Sequence, residues 1–418
     1  MGKFIIENSK NLKGEIEVYG AKNAAMKIIA ASILTSGEVT LENVPDISDV
    51  QRIIDILVKN GAKVSRDGHT LKIDSTDLID KNPDAKLVKK FRGSIVLIGP
   101  YLSRFGKISI PRPGGCLIGS RPIDTHLKAF EKIGAEVSHK DNFNHLSLEN
   151  NIGGEVVLKE ASVTATENIM MSQVIGSQET VIKNAATEPQ IADLINFLNK
   201  AGAKISGINT RTIKIQGVDK LNPISYQIMP DPFEAATFIC MAIVTHSEIK
   251  ITHCNPNDLY PFLDVIKEIG VEFELGENYV LVQNSQNLKS AKITTDIHPG
   301  FSTDMQAPIG LVLTQANGES YIHEKLFENR LGYLKELVEM GAKVEFISNQ
   351  KAVITGPTPL RGRHIESLDL RAGATMILAG LAAEGQTIIT DAEIVDRGYE
   401  KIETRLKRIG AKIERVDS

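Results

Sequence analysis

DVQRIIDILVKNGAKV, Asp49 to Val64, is the stretch on which the fold turns. Val50, Ile53, Ile54, Leu57 and Val58 recur at helical spacing and predict an amphipathic helix with these side chains on one face. Gly61 stands where such a helix ends, the position for a residue that turns left-handed. Ala62-Lys63-Val64 then leads into a strand. The pattern returns at Gly134, Gly202, Gly270, Gly341 and Gly410, at intervals of about 70 residues. Five of the six glycines continue as Gly-Ala-(Lys or Glu) and then Val or Ile, while the fourth reads Gly270-Val271-Glu272-Phe273.

Each repeat carries a second helix rich in small residues, such as KNAAMKIIAASILTSG (22–37) and RAGATMILAGLAAEG (371–385). Small residues on several faces allow close packing, so these are the helices expected to be buried. Strands follow them, EVTLENV after the first and QTIITDA after the last. Two helices and several strands, used six times, predict an α/β protein of two similar lobes with three repeats each and a break near Pro230. A chain of 418 residues suits two domains.

The polar residues follow the same period. Lys22-Asn23, Arg92, Ser162-Val163, Asp231, Asp304 and Arg371 open the small-residue helices. Arg121, Glu188, Arg330 and Arg397 open amphipathic ones. Acids suit a helix N-terminus, so Glu188, Asp231 and Asp304 read equally as caps. Lys22, Arg92, Arg121, Arg330, Arg371 and Arg397 break that rule, each at a cost of about 0.3–1 kcal/mol. A local rule broken repeatedly at one place marks function. If these helix starts converge, they make a site for a small ligand with several negative charges, gripped by planar guanidinium forks.

Composition narrows the class. With 42% hydrophobic and 24% charged residues the chain reads as a soluble globular protein. A net charge of −4 argues against bulk nucleic-acid binding, and the absence of Trp against a base-stacking platform. Cys116, Cys240 and Cys254 are odd in number and form no CxxC, so neither a disulfide framework nor a zinc site is indicated. That pattern suits a reducing cytoplasm. The nine histidines form no HExxH motif. MGKFIIENSK has no signal-peptide core, and apolar runs such as Phe238 to Val244 are too short to span a bilayer.

RPGGCLIGSRPID, Arg112 to Asp124, reads as a loop, since its prolines and glycines suit neither helix nor strand. Cys116 lies between Arg112 and Arg121. A thiol beside guanidinium groups has a lowered pKa and raised reactivity. The loop equally reads as a surface turn that carries an inert cysteine. If the thiol is reactive, residues 111–122 suit a mobile lid.

With these features in hand, the sequence resembles the bacterial UDP-N-acetylglucosamine enolpyruvyltransferases (1-carboxyvinyltransferases). The resemblance spans essentially the whole chain. It rests on GAKNAA (20–25), PGGCLIGSRPIDTHL (113–127), HPGFSTDMQAP (298–308), FENR (327–330), DLRAGA (369–374) and VDRGYE (395–400). It implies two inside-out α/β barrels, helices inside and sheets outside, one lobe over 22–229 and the other over 1–21 with 230–418. It implies transfer of the enolpyruvyl group of phosphoenolpyruvate to the 3-hydroxyl of UDP-N-acetylglucosamine, with loss of phosphate and with neither metal nor organic cofactor. By the same resemblance Cys116 is the general acid and Asp304 the base. Lys22, Arg121 and Arg397 take the phosphate, and Arg330 and Arg371 the carboxylate. Asn23, Arg92, the run Arg121, Pro122, Ile123, Asp124 and Thr125, then Ser162, Val163 and the backbone of Leu326 contact the nucleotide sugar.

Two positions depart from the family pattern. Thr164 replaces a glycine in SVTAT, beside the expected uridine site. Pro232-Phe233-Glu234 replaces Arg-Ile-Glu after Asp231, near the expected domain joint, with Ala236 where Gly is common. Neither departure is expected to touch a reacting group. The competing readings are a shikimate 3-phosphate enolpyruvyltransferase, a paralogue that uses another UDP-sugar, and a non-catalytic repeat scaffold.

Overall fold

The computed structural model describes residues 2–89, 92–112, 122–367 and 369–417. They divide into two compact units, an N-terminal one over 20–229 and a C-terminal one built from 2–19 and 230–417. Each has its own apolar core.

Both units use one pattern, plainest in residues 154–216. Strand Gly154–Val157 leads to an inner helix, Val163–Gln173, and back to strand Glu179–Lys183. An outer helix, Pro189–Lys200, and the hairpin Lys204–Ser206 with Thr212–Gln216 complete it. The first two strands pair in parallel, which requires the inner helix as crossover, and the others pair antiparallel. Four further sheets keep this order. The remaining sheet, Lys107–Pro111 with Phe143–Ser147 and Glu136–Lys140, has three strands. There the Asn82 side chain accepts the Ser109 N–H at 2.7 Å, a bond an added edge strand would otherwise make.

Strands distant in sequence complete the sheets of both units. Ser225–Gln227 returns to pair in parallel with Glu38–Glu42 in the first repeat of the N-terminal unit. In the C-terminal unit, Lys13–Glu17 pairs in parallel with Glu248–Thr252. Lys3–Glu7 lies between Gln386–Thr390 and Ile413–Val416. This pairing is why residues 2–19 belong with 230–417.

The small-residue helices lie inside. Pro232–Val244, Thr303–Leu313 and Leu370–Ala382 pack on one another and are buried along nearly their whole lengths. Strands alternate instead: in Glu38–Glu42, Val39 and Leu41 are buried while Glu38 and Glu42 face water. Sheets with one apolar face surround helices that are apolar all round. The sheets of a unit are separate hydrogen-bonded sets rather than one closed ladder among the described residues. Close approach is built in at Gly99, where a Cβ would fall 2.1 Å from the Asn168 carbonyl oxygen. The six repeat glycines all adopt positive φ, between +92° and +112°, and end the outer helices or the turn that follows.

The outer helix Ser48–Lys59 buries Val50, Ile53, Ile54, Ile56 and Leu57. Val58, expected on that face, is 48% exposed. The core-facing arc is rotated toward Ile56, so Val58 falls just past its edge. Among the described residues no helix is long and apolar enough to cross a membrane.

Candidate active site

The sequence-predicted residues fall into two groups, one in each unit. In the N-terminal unit Lys22 is the first residue of the inner helix Lys22–Ala31, with Asn23 beside it on the half-buried first turn. Lys22 Nζ lies 3.6 Å from Asp49 Oδ2, and Arg52 donates to the other Asp49 oxygen at 2.8 Å. Asp49 is 2% exposed, so one buried carboxylate steadies two cations.

Ser162 caps the inner helix Val163–Gln173, its Oγ accepting the Ala165 N–H at 3.4 Å. The opening N–H groups of a helix lack intrahelical partners and favour an anion there. Arg92 opens the 3₁₀ turn Arg92–Leu97, which runs into the helix Ile98–Phe105. Asn168 ties this turn to the Ser162 helix: its Oδ1 accepts the Gly99 N–H at 2.7 Å, and its Nδ2 donates to the Ile95 and Thr164 carbonyls. Pro122 and Ile123 lead into the helix Asp124–Lys132, where Thr125 donates to Glu160 at 3.1 Å. Thr164, the departure in SVTAT, is bonded at 2.8 Å to His126, a residue the sequence did not single out. Burial, helped by the charge of Arg92, pushes His126 down to about 3, so its imidazole is neutral. Thr164 thus fixes a buried ring beside Arg92 and the Thr125 helix.

In the C-terminal unit Asp304 is the second residue of the helix Thr303–Leu313. Arg330 donates to Asp304 Oδ1 at 2.6 Å, and Arg371 Nε lies 3.5 Å from Oδ2. Both guanidiniums are buried, at 7% and 3% exposure. The Arg371 backbone N–H is held by Asp369, the cap of the helix Leu370–Ala382. Burial works against the charge of Arg371, but Tyr399, Asp304 and Asp231 outweigh it and hold the pKa above its ordinary value. Nε and Nη2 of Arg371 are buried without a hydrogen-bond acceptor. They form one complete edge of the guanidinium, the edge that grips a carboxylate with two bonds.

Glu324 escaped the sequence reading. It is fully buried and accepts from Thr295, Thr303, Leu326 N–H and Phe327 N–H. It therefore sets the path of the chain at Leu326. The Leu326 N–H is spent internally, so a backbone contact from this residue to a ligand falls to its carbonyl.

Four expectations change. Arg92 and Arg330 open the 3₁₀ turns Arg92–Leu97 and Arg330–Gly332, and Arg397 ends the 3₁₀ turn Ala392–Arg397, so none of them stands in the first turn of an α-helix. A 3₁₀ turn aims its side chains every third residue, so the helix-end argument does not apply to them. Phe233, placed by expectation at the domain joint and away from reacting groups, instead lies with its ring centroid 5.0 Å from the Arg371 guanidinium. Cys116 and Arg121 lie outside the described residues, as does the loop 113–121. Among the described residues no group of His, Cys, Asp and Glu is arranged to hold a metal ion.

Comparison with known proteins gives the family. The sequence profile of EPSP synthase (3-phosphoshikimate 1-carboxyvinyltransferase) matches residues 6–406. The chain is similar to the UDP-N-acetylglucosamine 1-carboxyvinyltransferase of Finegoldia magna, 42% identical over 416 residues, covering 99% of this chain and 98% of that one. It is 43% identical to UDP-N-acetylglucosamine 1-carboxyvinyltransferase 1 of Clostridium acetobutylicum over 419 residues, covering 100% of both. Among solved structures, the enolpyruvyl transferase NikO from Streptomyces tendae matches with a TM-score of 0.90 at 24% identity, covering 100% of this chain and 99% of that one. EPSP synthase from Acinetobacter baumannii matches at 0.78 and 17%, covering 100% of both chains. These two likenesses speak to the fold. A profile match over nearly the whole chain, and relatives above 40% identity along its full length, place the chain in the enolpyruvyl (1-carboxyvinyl) transferase family typified by EPSP synthase.

Proposed function

We propose that the chain transfers the enolpyruvyl group of phosphoenolpyruvate to the 3-hydroxyl of UDP-N-acetylglucosamine and releases phosphate, the first committed step of peptidoglycan synthesis in the cytoplasm. The observation that carries the reading is the Asp304 cluster. A carboxylate with its side chain 27% exposed stands between two buried guanidiniums, and Nε and Nη2 of Arg371 are left without a hydrogen-bond acceptor, Nε lying 3.5 Å from that carboxylate. A base beside a carboxylate grip is what addition of an alcohol to phosphoenolpyruvate requires.

In this reading Asp304 removes the proton of the 3-hydroxyl as the sugar oxygen bonds to C2 of phosphoenolpyruvate. Cys116 delivers a proton to C3. Loss of a proton from C3 then restores the double bond as the bond from C2 to the phosphate oxygen breaks. Arg330 and Arg371 hold the carboxylate of the donor. Lys22, Arg121 and Arg397 hold its phosphate, which carries more charge as it departs. The half-buried first turn at Asn23, Arg92, the segment Pro122 to Thr125, the N–H groups at Ser162 and Val163, and Leu326 hold the nucleotide sugar. Cys116 and Arg121 take these roles by sequence match alone.

Phosphate release tests the assignment with phosphoenolpyruvate and three acceptors in turn: UDP-N-acetylglucosamine, UDP-glucose and shikimate 3-phosphate. Release with the first alone is expected. Release with shikimate 3-phosphate alone would transfer the chain to the sister reaction.

A further inference from the structure

We propose that Phe233 is a positioning residue for the phosphoenolpyruvate carboxylate, acting through Arg371, which it holds beside Tyr399 with the Nε–Nη2 edge in a fixed orientation. The proposal rests on the donor assigned above and deepens it.

The Arg371 guanidinium lies 5.0 Å from the Phe233 ring centroid and 5.4 Å from that of Tyr399. Aromatic rings attract a cation placed over their faces and hold a planar one in plane. Arg371 Nη1 donates to the Tyr399 hydroxyl at 2.9 Å. The direction of the remaining bonds follows from proton counting. Thr237 has one hydroxyl proton, and it goes to the Phe233 carbonyl at 2.8 Å. The Tyr399–Thr237 contact, also 2.8 Å, must therefore run from Tyr399 to Thr237. Burial, against the pull of Arg371, keeps the Tyr399 phenol above its ordinary pKa and so protonated for this donation. The chain of bonds starts at Arg371, passes through two hydroxyls and ends on the backbone of the residue whose ring lies on Arg371.

That backbone is pinned on its other side as well. Asp231 caps the helix Pro232–Val244 and accepts the Phe233 N–H at 2.8 Å. The ring is thus placed by two backbone bonds, and the closed loop leaves Arg371 few ways to turn. What the loop does not use is the Nε–Nη2 edge. A fork whose orientation is fixed in advance loses little freedom when a carboxylate arrives. Phe233 stands where the family pattern carries Ile, so in this chain a ring takes over part of the work of orienting Arg371.

The test compares Phe233→Leu, which keeps apolar bulk without a ring face, with Phe233→Tyr, which keeps the face on a half-buried ring. Phosphate-release kinetics would give kcat and both KM values, and calorimetry would give phosphoenolpyruvate affinity. The Leu variant should raise KM and Kd for phosphoenolpyruvate roughly 3- to 30-fold, the range of a partly desolvated cation–π contact. Its KM for UDP-N-acetylglucosamine should stay within about twofold, and the Tyr variant should restore the donor KM. An unchanged donor KM and Kd in the Leu variant would overturn the proposal. So would an equal rise in both KM values with a fall in Tm, which marks a structural role. Wild-type protein that neither binds phosphoenolpyruvate nor releases phosphate would overturn the donor assignment itself, and the role of Phe233 with it.

Discussion

Replacing Lys27 by Met and Glu167 by Gln together should remove a pH dependence from the stability of the N-terminal unit. Glu167 lies in the middle of the inner helix Val163–Gln173 and is fully buried. Neither of its carboxylate oxygens has a hydrogen bond. Lys27 Nζ, on a side chain also buried, is 3.5 Å away. Burial pushes Glu167 up to about 7 from 4.5, with Lys27 opposing and the charge of Glu188 adding. The unfolded carboxyl ionises first as pH rises, so the unfolded state binds fewer protons between these values. Stability from this group is therefore fully present below about pH 4.5 and is lost as pH rises through about 7. The difference between the two pKa values corresponds to about 3 kcal/mol. At roughly 2–4 °C per kcal/mol for a unit of this size, that is about 6–12 °C in Tm. Changing both residues leaves no orphaned charge behind. Thermal melts at constant ionic strength, from about pH 5 to pH 8, should show the double variant gaining on wild type by that amount. A Tm difference that stays flat across the range would refute the reasoning.

His126, held down to about 3, carries the opposite sign. Its stability is present above about pH 6.5 and lost as pH falls toward 3, so His126→Gln should lose less stability than wild type on acidification, read from urea midpoints. Asp304→Asn should lower kcat at least about 100-fold; its single amide oxygen can serve Arg330 but leaves Arg371 without its carboxylate partner, so Tm should fall as well, as read by thermal melts. Glu324→Ala removes the acceptor of one buried and three half-buried donors and should cost about 2–4 kcal/mol in denaturant unfolding, while Thr295→Ala alone costs less. Iodoacetamide should label Cys116 first and abolish activity, as read by peptide mass spectrometry. Burial raises the thiol of Cys254 to about 11 and holds that of Cys240 well above its ordinary value.

The sixfold repeat was legible because it rests on local rules. Helical spacing, a left-handed glycine and a strand recur together, and all six glycines adopt the backbone that only glycine takes easily. Which chain segments complete the sheets was not legible. Ser225–Gln227 joins Glu38–Glu42 across almost a whole unit, a pairing that local pattern cannot show. In the candidate site, charged residues in unfavourable places stood out: Lys22 and Arg371. Their partners did not. Asp49, Asn168, Glu324 and Tyr399 are ordinary residues in ordinary helices, turns and loops, and only the tertiary structure brings each to the group it holds. The position of Phe233 escaped for a further reason. A departure from a family pattern marks a change of contact without telling which side chain the new ring will meet.

The most direct test of the central claim is the identity of the product. Purified protein would be incubated with phosphoenolpyruvate and UDP-N-acetylglucosamine, and the nucleotide sugar analysed by mass spectrometry alongside phosphate. The account predicts a nucleotide sugar carrying one enolpyruvyl group, formed in equal amount with phosphate and absent from the Asp304→Asn reaction. Phosphate released while the nucleotide sugar stays unmodified would contradict it.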